Sequence, residues 1–337
     1  MPLTQIWLQF ALCALLITVA GSKLSRNGDI IAEKTGLSGT WIGLVLLASV
    51  TSLPELVTGI SAVTLADTPN IALGDVLGSL VFNLAILVVL DLLHRGAPIY
   101  TKAHQGHLLS AGFGVVLIGF TGFSLLVSRY ANGIAIGHVG FYTPVIVVLY
   151  FVAMRVLFDY EKRQMAAFAH DSAQQYANVT LRQAVLRYAL AAAVVVGAGA
   201  WLPFVGDALA RAYGWNNSFV GTLFVAGATS LPELVVTLAA LRLGALDMAI
   251  ANLLGSNLFD IIIIAVDDLF FLRGPLLSHV SDAHAVSALS ALIMTGAVVV
   301  GLIFRPAGRI FKAVGWVSVL LAGVYLANTY VLFRFGG

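Results

Sequence analysis

Apolar runs long enough to cross a bilayer follow one another along almost the whole chain of 337 residues, which leaves little room for anything but a bundle of membrane helices. A hydrocarbon core of about 30 Å needs about 20 apolar residues in an α-helix. The stretches Ile6 to Ala20, Val81 to Leu93, Leu108 to Val127 and Ala189 to Val205 approach or meet that length. Charged residues make up only 10% of the chain, against roughly 25% in soluble proteins, so no sizeable soluble domain is expected. The single cysteine, Cys13, excludes an intrachain disulfide or a cysteine metal site and reads as a packing or lipid-facing residue. A net charge of +2 with scattered basic residues leaves no footprint for nucleic acid. The stretch Leu3 to Ala20 lacks a basic leading region and reads as a retained first span.

Hydropathy and turn residues predict an all-α membrane protein with ten transmembrane helices, near 3–34, 38–66, 70–93, 105–127, 136–158, 183–213, 216–241, 246–270, 283–304 and 311–333. One long polar stretch, Asp159 to Gln183, divides the chain into a first five-helix repeat (1–158), a cytoplasmic connecting loop (159–182) and a second five-helix repeat (183–337). With both termini outside, fourteen of the eighteen Lys and Arg residues fall inside, and only Arg129, Arg211, Arg273 and Arg334 fall outside. The halves align at a constant offset: Gly21, Gly28, Asp29, Ala32, Gly36, Gly43 and Ala48 meet Gly199, Gly206, Asp207, Ala210, Gly214, Gly221 and Ala226. Five spans per half make the copies an inverted pair, an architecture that places a transport site near the bilayer midplane on interrupted helices.

The heptapeptide TSLPELV occurs at Thr51 to Val57 and again at Thr229 to Val235. Pro54 and Pro232 cannot donate to the carbonyls of Val50 and Ala228, so helices 2 and 7 are expected to break at Val50 to Thr51 and Ala228 to Thr229. Freed carbonyls at membrane depth are tolerable where they are buried in protein or line a wet cavity. Glu55 and Glu233 follow each break at once. A carboxylate at the bilayer centre costs about 2.5–3.5 kcal/mol on insertion scales and marks an ion or proton path. All Lys and Arg residues lie in loops or near span ends in this reading, so the neutralising charge comes from solvent. Thr51 and Glu55, Ser79 and Asn83, and Ser256 and Asp260 are each four residues apart and share a helix face. Together with Ser52, Thr229, Ser230 and Glu233 they form an oxygen-rich set without thiolate or imidazole, suited to calcium and, more weakly, sodium. The bland alternatives are a protonated structural pair of glutamates, and hydroxyls that bond only their own helices.

At these residues the sequence resembles the sodium/calcium exchanger family, whose inverted repeats carry a Gly-Thr-Ser-Leu-Pro-Glu type motif followed by a Gly-Ser-Asn-x-x-Asn/Asp type motif. The resemblance implies that Glu55 and Glu233 hold calcium with the carbonyls of Thr51 and Thr229. It implies sodium sites on the Ala48 and Ala226 carbonyls and the hydroxyls of Ser52, Ser79, Ser230 and Ser256, with Asn83 and Asp260 completing a central diamond. This chain departs from the pattern at Val50, at Leu80 (where the second copy has Asn257) and at Asp75 (where it has Asn252).

The function expected is sodium-for-calcium antiport by alternating access in a plasma membrane. Proton-coupled exchange of calcium or another divalent ion is the alternative, and a cation channel is the reading from a different class. No enzyme is expected, since Ser52 and Ser230 have no His or Cys at membrane depth to activate them. Neither a cofactor nor an obligate protein partner is implied; the partners are the two ions and the lipid. Asp267 and Asp268 at a span end are expected to be solvated, as are the loop histidines, among them His104, His107, His279 and His284. Asp75 is open between a cavity mouth and a capped helix start, and Asp29 and Asp207 are expected to bond within the first span of each half.

Overall fold

A computed structural model describes residues 2–35, 50–94, 97–130, 135–167, 178–310 and 313–336. Its elements are α1 (Leu3–Lys34), α2 (Leu53–Thr64), α3 (Pro69–Leu93), α4 (Gly106–Tyr130), a hairpin of β1 (Ala135–Ile136) and β2 (Val139–Gly140), α5 (Tyr142–Ala167), α6 (Leu181–Tyr213), α7 (Asn217–Val220), a π-helical turn (Gly221–Val225), α8 (Ala226–Thr229), α9 (Leu231–Arg242), α10 (Leu246–Phe270), α11 (His284–Phe304) and α12 (Trp316–Phe335). Among the described residues eight helices are long and apolar enough to cross a membrane, or nine if the bent pair Asn217–Thr229 and Leu231–Arg242 forms one span. The expected second span, 38–66, falls partly on residues 36–49, which lie outside the described set, as does Ala48.

Three boundaries differ from the sequence expectation. The fifth long helix starts at Tyr142 rather than 136, because Gly137 takes a left-handed conformation (φ 67°) and closes a short hairpin ahead of it. That helix runs on to Ala167, into the stretch expected to be a loop. Its Glu, Lys, Arg, Gln, Met and Ala residues are good helix formers, and Arg155 pairs with Asp159 one turn away. The last helix starts at Trp316 rather than 311, after a bridge between Ile310 and Val314.

The core lies along α3 and α10, whose apolar windows are 67% and 72% buried, against 22% for α1. These two helices run antiparallel. Asn70, at the start of α3, accepts from Ser281 N (2.7 Å) and lies 3.1 Å from His284 Nε2, in the connection from α10 and at the start of α11. Asp247, at the start of α10, accepts from His104 N (2.7 Å) and lies 3.0 Å from His107 Nε2, both past the end of α3. His107 and His284 are therefore buried latches, not solvated loop residues. Gly78 of α3 lets the π-helical turn approach its backbone, since a Cβ there would lie 2.5 Å from the Thr222 carbonyl oxygen.

Two buried aspartates brace the ends of this pair. Asp91 of α3 accepts from Ile99 N (3.0 Å), Gly315 N (2.7 Å) and Ser318 Oγ (2.7 Å), with Arg309 Nη2 at 3.8 Å. Asp268 of α10 accepts from Leu276 N (2.7 Å), Gly140 N (2.8 Å), Thr143 Oγ1 (2.5 Å) and Tyr142 OH (2.5 Å). Each thus ties the loop after its own helix to the entrance of α12 or α5, in the other half of the chain. The expectation of solvated aspartates at Asp267 and Asp268 fails: both are at most 1% exposed. Donors from distant segments replace water around Asp268.

Candidate cation-binding site

The two motif helices are interrupted at the serines rather than one or two residues earlier. Ser52 (φ −86°, ψ 13°) and Ser230 (φ −85°, ψ 5°) separate the incoming turns from α2 and α9, and the second interruption bends its helix pair by 44°. Pro54 and Pro232 then occupy the first turn of the new helices, where a missing N–H costs nothing because that N–H has no intrahelical partner anyway. α6 carries Pro203 without such a break.

A serine at a helix N-cap commonly accepts from its own first-turn N–H groups. Neither does so here. Ser52 Oγ instead donates to Glu233 Oε1 (3.4 Å), and Ser230 Oγ to Glu55 Oε1 (3.1 Å). The contacts are reciprocal: each glutamate accepts a serine hydroxyl from the other half of the chain. Ser79 Oγ lies 2.9 Å from Ser230 Oγ and 3.5 Å from Glu55 Oε1, while Thr51 Oγ1 and Ser256 Oγ are 3.1 Å apart. Both glutamates lie in the first turn of their helices, where the positive end of the helix dipole offsets up to about 2 kcal/mol of their desolvation.

The structure thus brings Thr51, Ser52, Glu55, Ser79, Ser230, Glu233 and Ser256 into one hydroxyl–carboxylate group. Asn83 Nδ2 donates to Asn257 Oδ1 (3.1 Å), and Asn257 Nδ2 to the Leu80 carbonyl (3.3 Å). Thr229 turns aside: its hydroxyl donates to Asp75 Oδ1 (2.8 Å) and lies 3.1 Å from the Ala226 carbonyl. Asp75 is neither a cavity mouth nor a helix cap, since it is fully buried in the body of α3. Asp260 is fully buried too, and neither of its oxygens has a hydrogen-bond partner among the described residues. Glu55 Oε2, Glu233 Oε2, Asp75 Oδ2 and Asn83 Oδ1 are likewise unpartnered.

All of these side chains are at most 4% exposed, so the site is closed in this conformation. The ion pairs found among the described residues engage none of its four carboxylates. No three His, Cys, Asp or Glu side chains in the described set converge tightly enough to hold a metal by themselves. A cation here would therefore share its shell with hydroxyls and carbonyls. Asn257, which the sequence reading passed over, is signalled by the Gly-Ser-Asn triplet that Leu80 interrupts in the first half. His104 and His107, with ring centroids 6.5 Å apart, serve the α3–α10 latch. Asp207 bonds within its own span, to Arg211, and beyond it, accepting from Asn217 Nδ2 (3.3 Å) of α7.

Comparison with known proteins identifies the family. The family described as sodium/calcium exchanger protein matches residues 5–158 and 184–331. Sodium/calcium exchanger MaX1 of Methanosarcina acetivorans is 28% identical over 358 residues, covering 96% of this chain and 97% of that protein. Inner membrane protein YrbG of Escherichia coli is 25% identical over 256 residues, covering 74% of this chain and 75% of that protein. In fold, the H+/Ca2+ exchanger CAX superposes with a TM-score of 0.70 at 14% identity, over 98% of this chain and 82% of that one. The sodium-calcium exchanger NCX_Mj superposes with a TM-score of 0.63 at 20% identity, over 98% and 99%. The chain is an integral membrane protein and belongs to the sodium/calcium exchanger protein family.

Proposed function

We propose that this protein is a secondary antiporter that exchanges sodium for calcium by alternating access. The observation that carries the reading is the set of buried acceptor oxygens on Glu55, Glu233, Asn83 and Asp260 that have no donor among the described residues. Burying a carboxylate at this depth costs about 2.5–3.5 kcal/mol or more, and the helix dipole offsets only part of that. A bound cation supplies the rest. Calcium would lie between Glu55 and Glu233 with the carbonyls of Thr51 and Thr229. Sodium would take the hydroxyls of Ser52, Ser79, Ser230 and Ser256 with the Ala226 carbonyl and its counterpart at Ala48, and Asn83 and Asp260 would close the set. Coupling then follows from electrostatics, because a site holding uncompensated charge resists the closed geometry through which either opening must pass.

In this reading ten spans form two inverted five-helix repeats, 1–158 and 183–337, joined by a cytoplasmic segment, with both termini outside a plasma membrane. The antiparallel α3–α10 pair and the reciprocal Ser–Glu contacts support that arrangement. A second reading, proton-coupled exchange, is favoured by the likeness to the H+/Ca2+ exchanger CAX and by the two further buried acids, Asp75 and Asp260.

Flux from calcium-loaded reconstituted vesicles separates them when sodium, potassium and protons are varied one at a time. External sodium is expected to drive calcium efflux; efflux that follows a proton gradient and ignores sodium would transfer the assignment to the second reading. Glu55→Gln and Glu233→Gln are each expected to abolish exchange in protein that still folds, and retained exchange in either would end the proposal. Unitary currents would mark a channel instead.

A further inference from the structure

The acidic face of α2 continues beyond Glu55. Gly59 lies one turn further along the same face, about 6 Å along the axis. The space its side chain would occupy is filled from α10: a Cβ on Gly59 would lie 2.4 Å from Asp267 Oδ2 and 2.6 Å from Oδ1. Asp267 is 1% exposed, and neither oxygen has a hydrogen-bond partner among the described residues. Its neighbour Asp268 is satisfied by four donors, so bracing accounts for Asp268 and leaves Asp267 without a structural role. One turn beyond Gly59 and Asp267 lies a surface cavity of about 290 Å³, lined by Val63, Thr64 and Asp67 on one side and Phe270 to Arg273 on the other. Arg273 pairs with Asp67 at its rim. Along one face of α2 the order is thus surface cavity, Asp267, Glu55.

An isolated carboxylate in the interior of a membrane bundle carries a large desolvation cost with nothing in its packing to return it. A passing hard cation returns it. One carboxylate offers too few oxygens to replace the six to eight that calcium takes, so an ion held here keeps most of its water and is held weakly. We propose that Asp267 is a staging ligand, binding a partly hydrated calcium or sodium ion between the Asp67–Arg273 cavity and the central glutamates. This rests on the reading of Glu55 and Glu233 as transport ligands.

A staging ligand serves one face of the membrane only, whereas a central ligand serves both. Calcium uptake by the full-length protein is measured in sealed vesicles of each orientation, with calcium as the sole divalent ion. Asp267→Asn, which keeps shape and removes charge, is expected to raise half-saturating calcium about tenfold at the face bearing the Asp67–Arg273 cavity. The value at the opposite face is expected to stay that of wild type. No shift at either face, or an equal shift at both, overturns the proposal. Should Asp267→Asn fail to reach the membrane, Asp267→Ser is put through the same measurement. Glu55→Gln is run alongside: exchange retained in that variant defeats the parent reading, whereas a dead Glu55→Gln beside an unshifted Asp267→Asn defeats the staging ligand alone.

Discussion

Ser230 and Ser52 occupy equivalent helix starts but not equivalent surroundings. Ser230 lies 3.1 Å from Glu55 Oε1 and 2.9 Å from Ser79 Oγ, while Ser52 reaches Glu233 Oε1 at 3.4 Å. A hydrogen bond to a charged group contributes about 1.5–3 kcal/mol. Ser230→Ala is therefore expected to weaken half-saturation by sodium by about tenfold or more, and Ser52→Ala by less; sodium-dependent calcium flux measures both, and the reverse order would contradict this geometry. The central residues are legible in the sequence because a polar side chain inside an apolar run has few reasons to be there, and its repetition removes most of those. Asp267 and Asp268 are not legible in the same way. A carboxylate at the end of an apolar run reads alike whether water or protein follows it. The donors to Asp268 come from Gly140, Tyr142 and Thr143 in another part of the chain, and the space for Asp267 is the missing side chain of Gly59.

Helix order and type follow from hydropathy, but the interruptions fall where backbone and side-chain chemistry meet. Proline favours a break without enforcing one, as Pro203 within α6 shows, and the chain places this break at Ser230, so that Pro232 begins a helix instead of spoiling one. Pro232→Ala would supply an N–H to the Ala228 carbonyl and reduce the 44° bend, drawing Glu233 away from Ser52. The expected outcome is exchange slowed by at least about tenfold with a melting temperature equal to or above that of wild type, since proline-to-alanine favours a continuous helix. A variant with normal flux would show that the bend is not needed. The π-helical turn Gly221–Val225 left no signature in the sequence, because i→i+5 bonding depends on the close approach of α3 at Gly78. Such turns occur often at functional sites, and this one immediately precedes the Ala226 carbonyl.

For the molecule as a whole, the internal duplication is legible and the contacts that make it rigid are not. Asp91 and Asp268 hold the two ends of the α3–α10 pair, each by several charge-assisted bonds to loops and helix starts far away in sequence. Leaving a buried donor without its acceptor costs about 1–3 kcal/mol, and each aspartate serves several donors. Asp91→Ala and Asp268→Ala are thus each expected to lower the melting temperature in detergent by roughly 5–10 °C. The loss should exceed that of Glu55→Gln, whose parent carboxylate has no partner on one oxygen among the described residues. Melting at the wild-type temperature would show that the braces carry little of the stability.

Because each glutamate accepts a serine hydroxyl from the opposite half of the chain, the two contacts cannot be broken independently. Sliding α9 far enough to withdraw Ser230 from Glu55 also carries Glu233 off Ser52 in the same stroke. Under the proposed exchange, one displacement would thus strip both acids of their cross-half serine at once and leave Glu55 only the longer contact to Ser79.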